Sequence, residues 1–435
     1  MGCWRFFALA VPLATATALI AAEPAAAESA AGEAPVSIAA AIAAALARHP
    51  DVALADARLA EVQAKWRDRR SEQLPTVRLI GVAVHGSDNN EADSQPPPGW
   101  DLRATLDVPV IAPAAWARLE AAGFGERVAV ARRQADRESI AARAAVAAID
   151  AAAAVAEKAA AAEDQVLAEA IAALADELAR GGQTARIEAE RAWAEVEAAK
   201  ASSVESEGAS LAARIGLAVA MGGDPAKPPW PAGQSVPVSV VPTDSAAALR
   251  LAGERRPDLA MAEFQVRQLV ANVAAIRREP LPIVSAFADV GTGALAGENA
   301  VGSWRVGVRA TITVFDGLSR ESRTDVNLAL AAQARAEHAA LLAVTAGAVA
   351  SALVRVQSAT KSAEHWATAV VRSTAEIDLA RERLRGGLDD GLAVVEARGR
   401  LAKAKSKLIA ARRTAALAAA ALAAACGVAG DLRTP

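Results

Sequence analysis

The feature that most constrains the fold is that the sequence contains the same landmarks twice, about 205 residues apart. The landmarks keep their order, and their spacing drifts by only about three residues, which is typical of a tandem duplication. A chain of 435 residues built in this way is expected to fold as two equivalent units. The matched segments are Arg48–Val52 with Arg255–Leu259, Gln73–Pro75 with Pro280–Pro282, Trp100 with Trp304, Leu178–Gly181 with Leu384–Gly387, and Ala220–Gly222 with Ala425–Gly427.

Composition indicates what these units are made of. Hydrophobic residues make up 53% of the chain, but alanine dominates them, aromatics reach only 3% and tyrosine is absent. Alanine is the best helix former and fills little volume, so long thin helices are expected rather than wide globular cores. The apolar content argues against disorder, and a net charge of −3 argues against a basic nucleic-acid binder. No run of about 20 apolar residues follows the N-terminus, which argues against several membrane-spanning helices.

Residues 1–27 have the pattern of a secretory signal peptide. Arg5 supplies the positive charge, Phe6–Ala22 is the apolar run, and Ala25–Ala27 offers a small-residue cleavage site. Cys3 precedes the apolar run, so the pattern does not predict a lipoprotein. Removal of the signal leaves Cys426 as the single cysteine, so we expect an exported protein that is not stabilised by an internal disulfide.

Each unit has the same predicted order: a helix ended by proline, a β-hairpin, a very long helix, a Gly-Gly turn and a last helix. A helix of 67 residues is about 100 Å long, so only equally long helices or shorter helices stacked end to end can accompany it. We therefore expect a tall helical wall with strands at one end. The predicted first repeat, 28–222, contains helix Ser37–Glu72, a hairpin over 76–110, long helix 114–180 and helix 184–220. A Pro/Gly linker over 223–242 precedes the second repeat, 243–428, with helix Asp244–Arg278, a hairpin over 283–314, long helix 319–385, helix 392–425 and a tail over 429–435.

The predicted strands Trp100–Val110 and Trp304–Val314 alternate strictly between apolar and polar residues. Such a strand could cover a soluble core, or it could line a membrane barrel with a lipid face and a wet lumen. The partner strands, Thr76–His85 and Ile283–Val290, alternate less cleanly. Four strands cannot close a barrel and open edges cannot face lipid, so a membrane barrel requires several copies of the chain.

At this level of organisation the sequence resembles the TolC-type outer membrane efflux protein family, over nearly the whole chain after residue 27. The resemblance depends on the order, spacing and duplication of its motifs more than on any one of them. The motifs are Ala45–Asp51 and Ala252–Asp258, Leu-Pro at 74–75 and 281–282, Thr313–Gly317, and Arg383–Leu388 followed by Leu392, Val394, Val395, Glu396 and Ala397.

The resemblance implies a mainly α fold with a membrane β-barrel: a homotrimer with a twelve-stranded outer membrane barrel, four strands per chain, on a periplasmic α-helical tunnel. It implies a passive duct, without cofactors, that exports small molecules loaded by an inner membrane transporter with a periplasmic adaptor. The implied sites are a periplasmic tip turn that contacts the adaptor and acidic residues that narrow the tip lumen. The tip-turn residues are Leu178, Arg180, Gly181, Gly182, Arg383, Leu384, Arg385, Gly386 and Gly387, and the acidic residues are Glu188, Glu190, Asp389, Asp390 and Glu396.

The family's tip aromatic is leucine in both copies, and Ala393 stands where one of the tip acids is expected. Arg103, Arg305 and Arg309 lie on the polar strand faces and are assigned to the barrel lumen. Trp100, Trp304, Phe287 and Phe315 are the candidates for aromatics at the membrane interface. The glycines could also be simple helix caps, and the acidic residues ordinary solvated helix faces.

Catalysis finds little support in the sequence, so we expect no enzyme. His49, His85, His338 and His365 lack metal-ligand spacing, and Gly291–Gly297 is interpreted as a hairpin loop because no lysine or helix follows it as in a phosphate loop. Two other functions remain open. One is a duct for type I protein secretion, and the other is a periplasmic coiled-coil adaptor or structural protein without a pore.

Overall fold

The computed structural model describes residues 35–84, 99–233, 244–295, 298–386 and 391–433. The predicted signal peptide therefore lies outside the described residues. The elements are α1 Ile38–Arg48, α2 Pro50–Ser71, β1 Thr76–Val84, β2 Gly99–Ile111, α3 Pro113–Arg180, α4 Arg186–Ala220, α5 Ser245–Arg255, α6 Pro257–Arg277, β3 Ile283–Leu295, β4 Val301–Thr311, α7 Ser319–Arg385 and α8 Gly391–Ala425, followed by a 3-10 helix Ala429–Arg433.

The first helix of each repeat is broken, so the prediction of single helices over Ser37–Glu72 and Asp244–Arg278 is wrong. Helices α1 and α2 bend by 46° at their junction. The residues at the breaks, His49 and Arg256, are extended and precede Pro50 and Pro257. Proline disfavours the helical conformation of the residue before it and starts a new helix well, which explains both breaks.

The four strands form one antiparallel sheet in the order β1-β2-β3-β4. Two predicted boundaries are corrected. Gly291–Leu295, interpreted from the sequence as a loop, continues β3 because Gly291 and Gly293 pair with Arg103 and Asp101. Strand β4 ends at Thr311, three residues before the predicted end.

The helices form a single wall beneath the sheet. Helix α3 contacts α2 and α6 in the half nearer the strands, and it contacts α4 and α8 in the other half. Helix α7 contacts α6 and then α8 in the same way. Each long helix is therefore accompanied by two shorter helices stacked along its length.

The main core lies where the shorter helices meet end to end against α3 and α7. Alanines such as Ala144 and Ala148 surround the larger buried side chains of Ile42, Ile140 and Ile149. The small side chains let helix backbones approach closely, so a chain poor in aromatics still buries a continuous core.

The duplication is visible in this core at two glycines. Gly222 and Gly427 end α4 and α8 with φ values of 67° and 72°. In each case the next residue donates back to the helix, at 2.8 Å from Gly223 to Ala218 and 2.9 Å from Val428 to Ala423. Each glycine lies against one of the two helix breaks, Gly222 at His49 and Gly427 at Arg256.

Helices α3, α7 and α8 are long and apolar enough to cross a membrane when judged by length and composition only. None of these helices contains an unbroken run of about 20 apolar residues, so the sequence-based expectation and this criterion differ. Alanine explains the difference, because it raises mean hydropathy without a continuous run of bulky apolar residues. Half of the apolar window of α3 is already buried among neighbouring helices.

Candidate functional site: an amphipathic sheet and the helix turns

The sheet exposes its apolar face. Strand pairing places Trp100, Leu102 and Leu106 of β2 on the same side as Val306 and Val308 of β4. Val306 is 73% exposed and Trp304, on the same face, 75%. In β2, Trp100, Leu102 and Leu106 are exposed, whereas the alternating charged residues Asp101, Arg103 and Asp107 are partly buried. This is the reverse of a soluble sheet, and it gives a surface suited to lipid.

The opposite face carries the predicted lumen arginines, each paired with an aspartate. Arg103 contacts Asp101 at 3.3 Å and Arg305 contacts Asp289 at 3.2 Å. Arg309 lies 3.8 Å from Asp107. The three arginines thus share one polar face, which is the arrangement a water-filled lumen requires.

Phe287 lies on this polar face, so its assignment to a lipid-interface aromatic belt is wrong. Its ring packs under the guanidinium of Arg309, with 4.9 Å from Cζ to the ring centroid. A β-carbon at Gly307 would lie 2.9 Å from the ring. Gly307 therefore leaves room for the ring of Phe287 on the polar face. Trp66 and Trp116, which the sequence analysis did not single out, lie together in a groove at the start of α3, close to the end of β2.

A row of ion pairs crosses the wall just below the sheet, and it was missed in the sequence. Arg118 of α3 lies 3.8 Å from Glu72 and 3.9 Å from Glu279. Arg323 of α7 contacts Glu279 at 2.6 Å. Glu72 and Glu279 are equivalent in the duplication, as are Arg118 and Arg323. Charged residues at equivalent positions of the two repeats are therefore the sequence signal for this row.

At the far end of the wall, the α3–α4 turn closes with a Schellman motif. Gly182 has a φ of 75°, and the amide of Gln183 donates to the carbonyl of Leu178 at 2.9 Å. Gly181, the residue before it, is helical. The left-handed cap predicted for the glycine pair therefore belongs to the second glycine.

The corresponding α7–α8 turn is described only as far as Gly386, which is helical. Gly387, Asp389 and Asp390 lie outside the described residues. The predicted contact role of Leu384 does not fit this chain, because its side chain is 3% exposed and packs with Ile171, Ile377 and Val394. Leu178 lies partly buried beside the same cluster.

The arginines near the turns are exposed. Arg180 donates to Asp176 at 2.7 Å, a pair one helical turn apart. This hydrogen bond raises the pKa of Arg180 above its ordinary value. Arg383 and Arg385 also lie on the surface of α7.

The predicted tip acids differ in their surroundings. Glu188 is largely covered, pairs with Arg191 at 2.7 Å and lies against Gly391 of α8. Glu190 is exposed. Glu396 is also exposed and lies 3.4 Å from Arg400. Glu190 and Glu396 therefore remain available to water, whereas Glu188 is part of a helix contact.

Arg398 is a buried charge that the sequence analysis missed. It is 5% exposed and donates to Asp164 of α3 at 2.7 Å and to Glu195 of α4. The arginine belongs to the second repeat and both carboxylates to the first. A buried arginine is stable only when its charge is paired in this way, so the contact ties the repeats together between the core and the turns.

Within the described residues no group of His, Cys, Asp and Glu could hold a metal ion. The described histidines are dispersed: His49 accepts a hydrogen bond from the amide of Asp51 at a helix break, and His338 and His365 lie on α7. His85 lies outside the described residues.

Comparison with known proteins agrees with this architecture. Residues 248–428 match the family model of the outer membrane efflux protein. The fold is similar to that of the outer-membrane channel OprN, at 21% identity and a TM-score of 0.77 over 90% of this chain and 89% of that one. It is also similar to VceC from Vibrio cholerae, at 19% identity and 0.75 over 90% and 96%.

The CmeC outer membrane channel of Campylobacter jejuni is similar at 16% identity and a TM-score of 0.77, over 90% of this chain and 86% of that one. No curated protein sequence matches the chain. The family model covers the second repeat, and the structural likeness extends over both. The second repeat thus matches the model of the outer membrane efflux protein family, and the described chain has the fold of these outer membrane channels.

Proposed function

We propose that the protein is the outer membrane duct of a tripartite efflux system. Three copies form a twelve-stranded barrel in the outer membrane and a helical tunnel that extends into the periplasm. The observation that carries the proposal is the four-stranded sheet with an exposed apolar face and a charged opposite face.

The edges of the sheet support assembly from several copies. Strands β1 and β4 are its outer strands, and both are exposed along their length. Backbone groups at an open edge cannot face lipid without partners. Because β1 and β4 run in opposite directions, β4 of one copy can pair with β1 of the next in an antiparallel barrel.

The number three comes from the family resemblance, and the geometry is compatible with it. Two copies would give eight strands, a barrel just wide enough to be filled by its own side chains. Twelve strands leave a lumen, which the arginine–aspartate pairs of the polar face would line. Such a lumen passes small polar molecules without chemical change.

The partners are a periplasmic adaptor at the helix turns and an inner membrane transporter that loads the duct. Within the described residues, the helix turns form the end of the wall that lies away from the sheet. This position supports docking of the adaptor at the turns. A type I protein-secretion duct has the same architecture, and the neighbouring transporter distinguishes the two. The exposed apolar sheet argues against a soluble periplasmic adaptor.

The test is the cross-linked mass of the protein extracted from isolated outer membranes. A detergent-stable trimer in that fraction is the expected result, and a soluble periplasmic monomer or dimer would overturn the proposal. Val306→Arg places a charge on the apolar face and should reduce the trimer, because arginine near the bilayer centre costs about 2–4 kcal/mol. Thr105→Arg, on the charged face, is the matched control and should preserve it.

A further inference from the structure

We infer the contacts that join one copy of the chain to the next, and the inference rests on the proposed assembly. Strand β4 pairs with the partner's β1 so that Thr311 lies opposite Ile80 of the partner subunit and Arg309 opposite Val82 of the partner subunit. Below the sheet, Arg323 pairs with Glu72 of the partner subunit. We call this set of contacts between copies the seam. The β2–β3 and α3–α6 contacts inside the chain are its equivalents.

The two hairpins of the chain are superimposable in register. Thr76 pairs with Asp107 in the first hairpin, and Ile283 pairs with Thr311 in the second. The first strand is thus displaced by 283 − 76 = 207 residues and the second by 311 − 107 = 204. The same displacements convert any contact of one repeat into its equivalent in the other.

The junction between the hairpins then has a counterpart between copies. Inside the chain Thr105 pairs with Asp289, and Asp107 pairs with Phe287. Each β2 residue has its equivalent in β4 at 204 positions later, and each β3 residue has its equivalent in β1 at 207 positions earlier. The pair Thr105–Asp289 therefore becomes Arg309 opposite the partner's Val82, and the pair Asp107–Phe287 becomes Thr311 opposite the partner's Ile80.

This register keeps every side chain on its face, since a slip by one residue would exchange the two faces of the partner strand. The hydrophobic pattern of β1 cannot fix the register by itself. Ile80 and Val82 are apolar although they share a face with Arg78, and the opposite face is apolar as well. The duplication therefore supplies information that the composition of this strand lacks.

The seam also accounts for the early end of β4. Inside the chain β2 continues past Asp107 because β3 pairs with Val108, Pro109 and Ile111. The equivalent positions of β4 are Ile312, Thr313 and Phe315, which lie in no strand and are exposed in the single chain. We expect them to join the sheet only when the partner's β1 is present.

The row of ion pairs, like the sheet, ends at a residue whose equivalent partner would belong to the next copy. In the order of the helices it runs Glu72, Arg118, Glu279, Arg323, and each neighbouring pair lies within 3.9 Å. The contact between Arg118 and Glu279 joins the repeats, and its equivalent joins Arg323 to the partner's Glu72. Three copies would complete a ring of alternating charges between barrel and tunnel.

The test is disulfide formation across the seam in a Cys426→Ala background, since Cys426 is the cysteine that remains after the predicted signal peptide. The probe is the pair Thr311→Cys with Ile80→Cys, oxidised in isolated outer membranes. Directly opposite residues are about 4.5–5.5 Å apart at Cα, within the range of a disulfide. The matched control is Thr311→Cys with Val84→Cys, which is displaced by four residues, or about 13 Å.

We expect covalent dimers and trimers from the probe pair and none from the control. As a second measurement, Glu72→Cys with Arg323→Cys should be bridged between subunits by a short bismaleimide, whereas Glu72→Cys with Asn327→Cys should not. A trimer without the probe cross-link, or with the control cross-link instead, would overturn the seam and leave the duct proposal intact. A protein with its native Cys426 that forms no outer membrane trimer would overturn the duct and the seam together.

Discussion

Replacement of Gly222 by alanine should destabilise the protein more than the same change at Gly182. Both glycines end a helix in the left-handed conformation, with φ values of 67° and 75°. They differ in what a side chain would meet. A β-carbon at Gly222 would lie 2.9 Å from Cα of His49 and 3.0 Å from the carbonyl of Arg48, whereas a β-carbon at Gly182 would enter open space among the described residues.

The two terms can be estimated separately. The left-handed conformation costs a non-glycine residue about 1–2 kcal/mol, and both variants incur this cost. At Gly222 the new methyl group also meets backbone atoms that cannot rotate away, and overpacking of a core costs about 1–3 kcal/mol more. The expected losses are therefore about 1–2 kcal/mol for Gly182→Ala and about 2–5 kcal/mol for Gly222→Ala.

The assay is thermal unfolding of the detergent-extracted protein, followed by circular dichroism of the helices at one fixed scan rate. Gly427→Ala should lower the melting temperature about as much as Gly222→Ala, because its β-carbon would lie 2.9 Å from Cα of Arg256. A Gly182→Ala variant that melts as early as Gly222→Ala would refute the reasoning, since the close approach to the helix break would then contribute nothing.

Three further predictions concern charges. Arg398→Met leaves the carboxylate of Asp164 without its buried partner and should lower the stability by about 3 kcal/mol in the same assay. The double variant Arg398→Met with Asp164→Leu should recover most of this loss. Equal melting temperatures of the single and double variants would contradict the prediction. The hydrogen bond from Arg256 lowers the pKa of Asp258 below its ordinary value, so its contribution to stability is present above about pH 4 and is lost as the pH falls through the lowered pKa. The melting temperature of Asp258→Asn should thus lie below that of the parent at pH 7 and approach it at low pH, and a constant difference at all pH values would count against the pair. Glu396→Ala should raise single-channel conductance or weaken block by multivalent cations in planar bilayers, because exposed carboxylates converging on one axis attract cations, and unchanged conductance and block would remove Glu396 from the lumen.

Much of the architecture could be predicted from the sequence because its signals are local. The ends of α7 fall at the predicted residues, since glycine at 386 ends the helix and the alanine-rich run favours helix throughout. The alternation of β2 and β4 predicted two-faced strands, and pairing places their charged residues together. The turn roles of Arg180 and Gly386 and the lumen roles of Glu190 and Glu396 remain predictions.

The repeat, the long helices and the two faces of the strands can be recognised from the sequence alone. These follow from spacing and residue type along the chain, which are visible without any fold. Tertiary structure decided the features that depend on distant partners. Gly291–Leu295 became strand because β2 lies beside it, Phe287 found room on the charged face because Gly307 is its neighbour, and Arg398 is buried because carboxylates more than 200 residues away neutralise it. No periodicity records such contacts, since they exist only once two segments far apart in the chain have packed together.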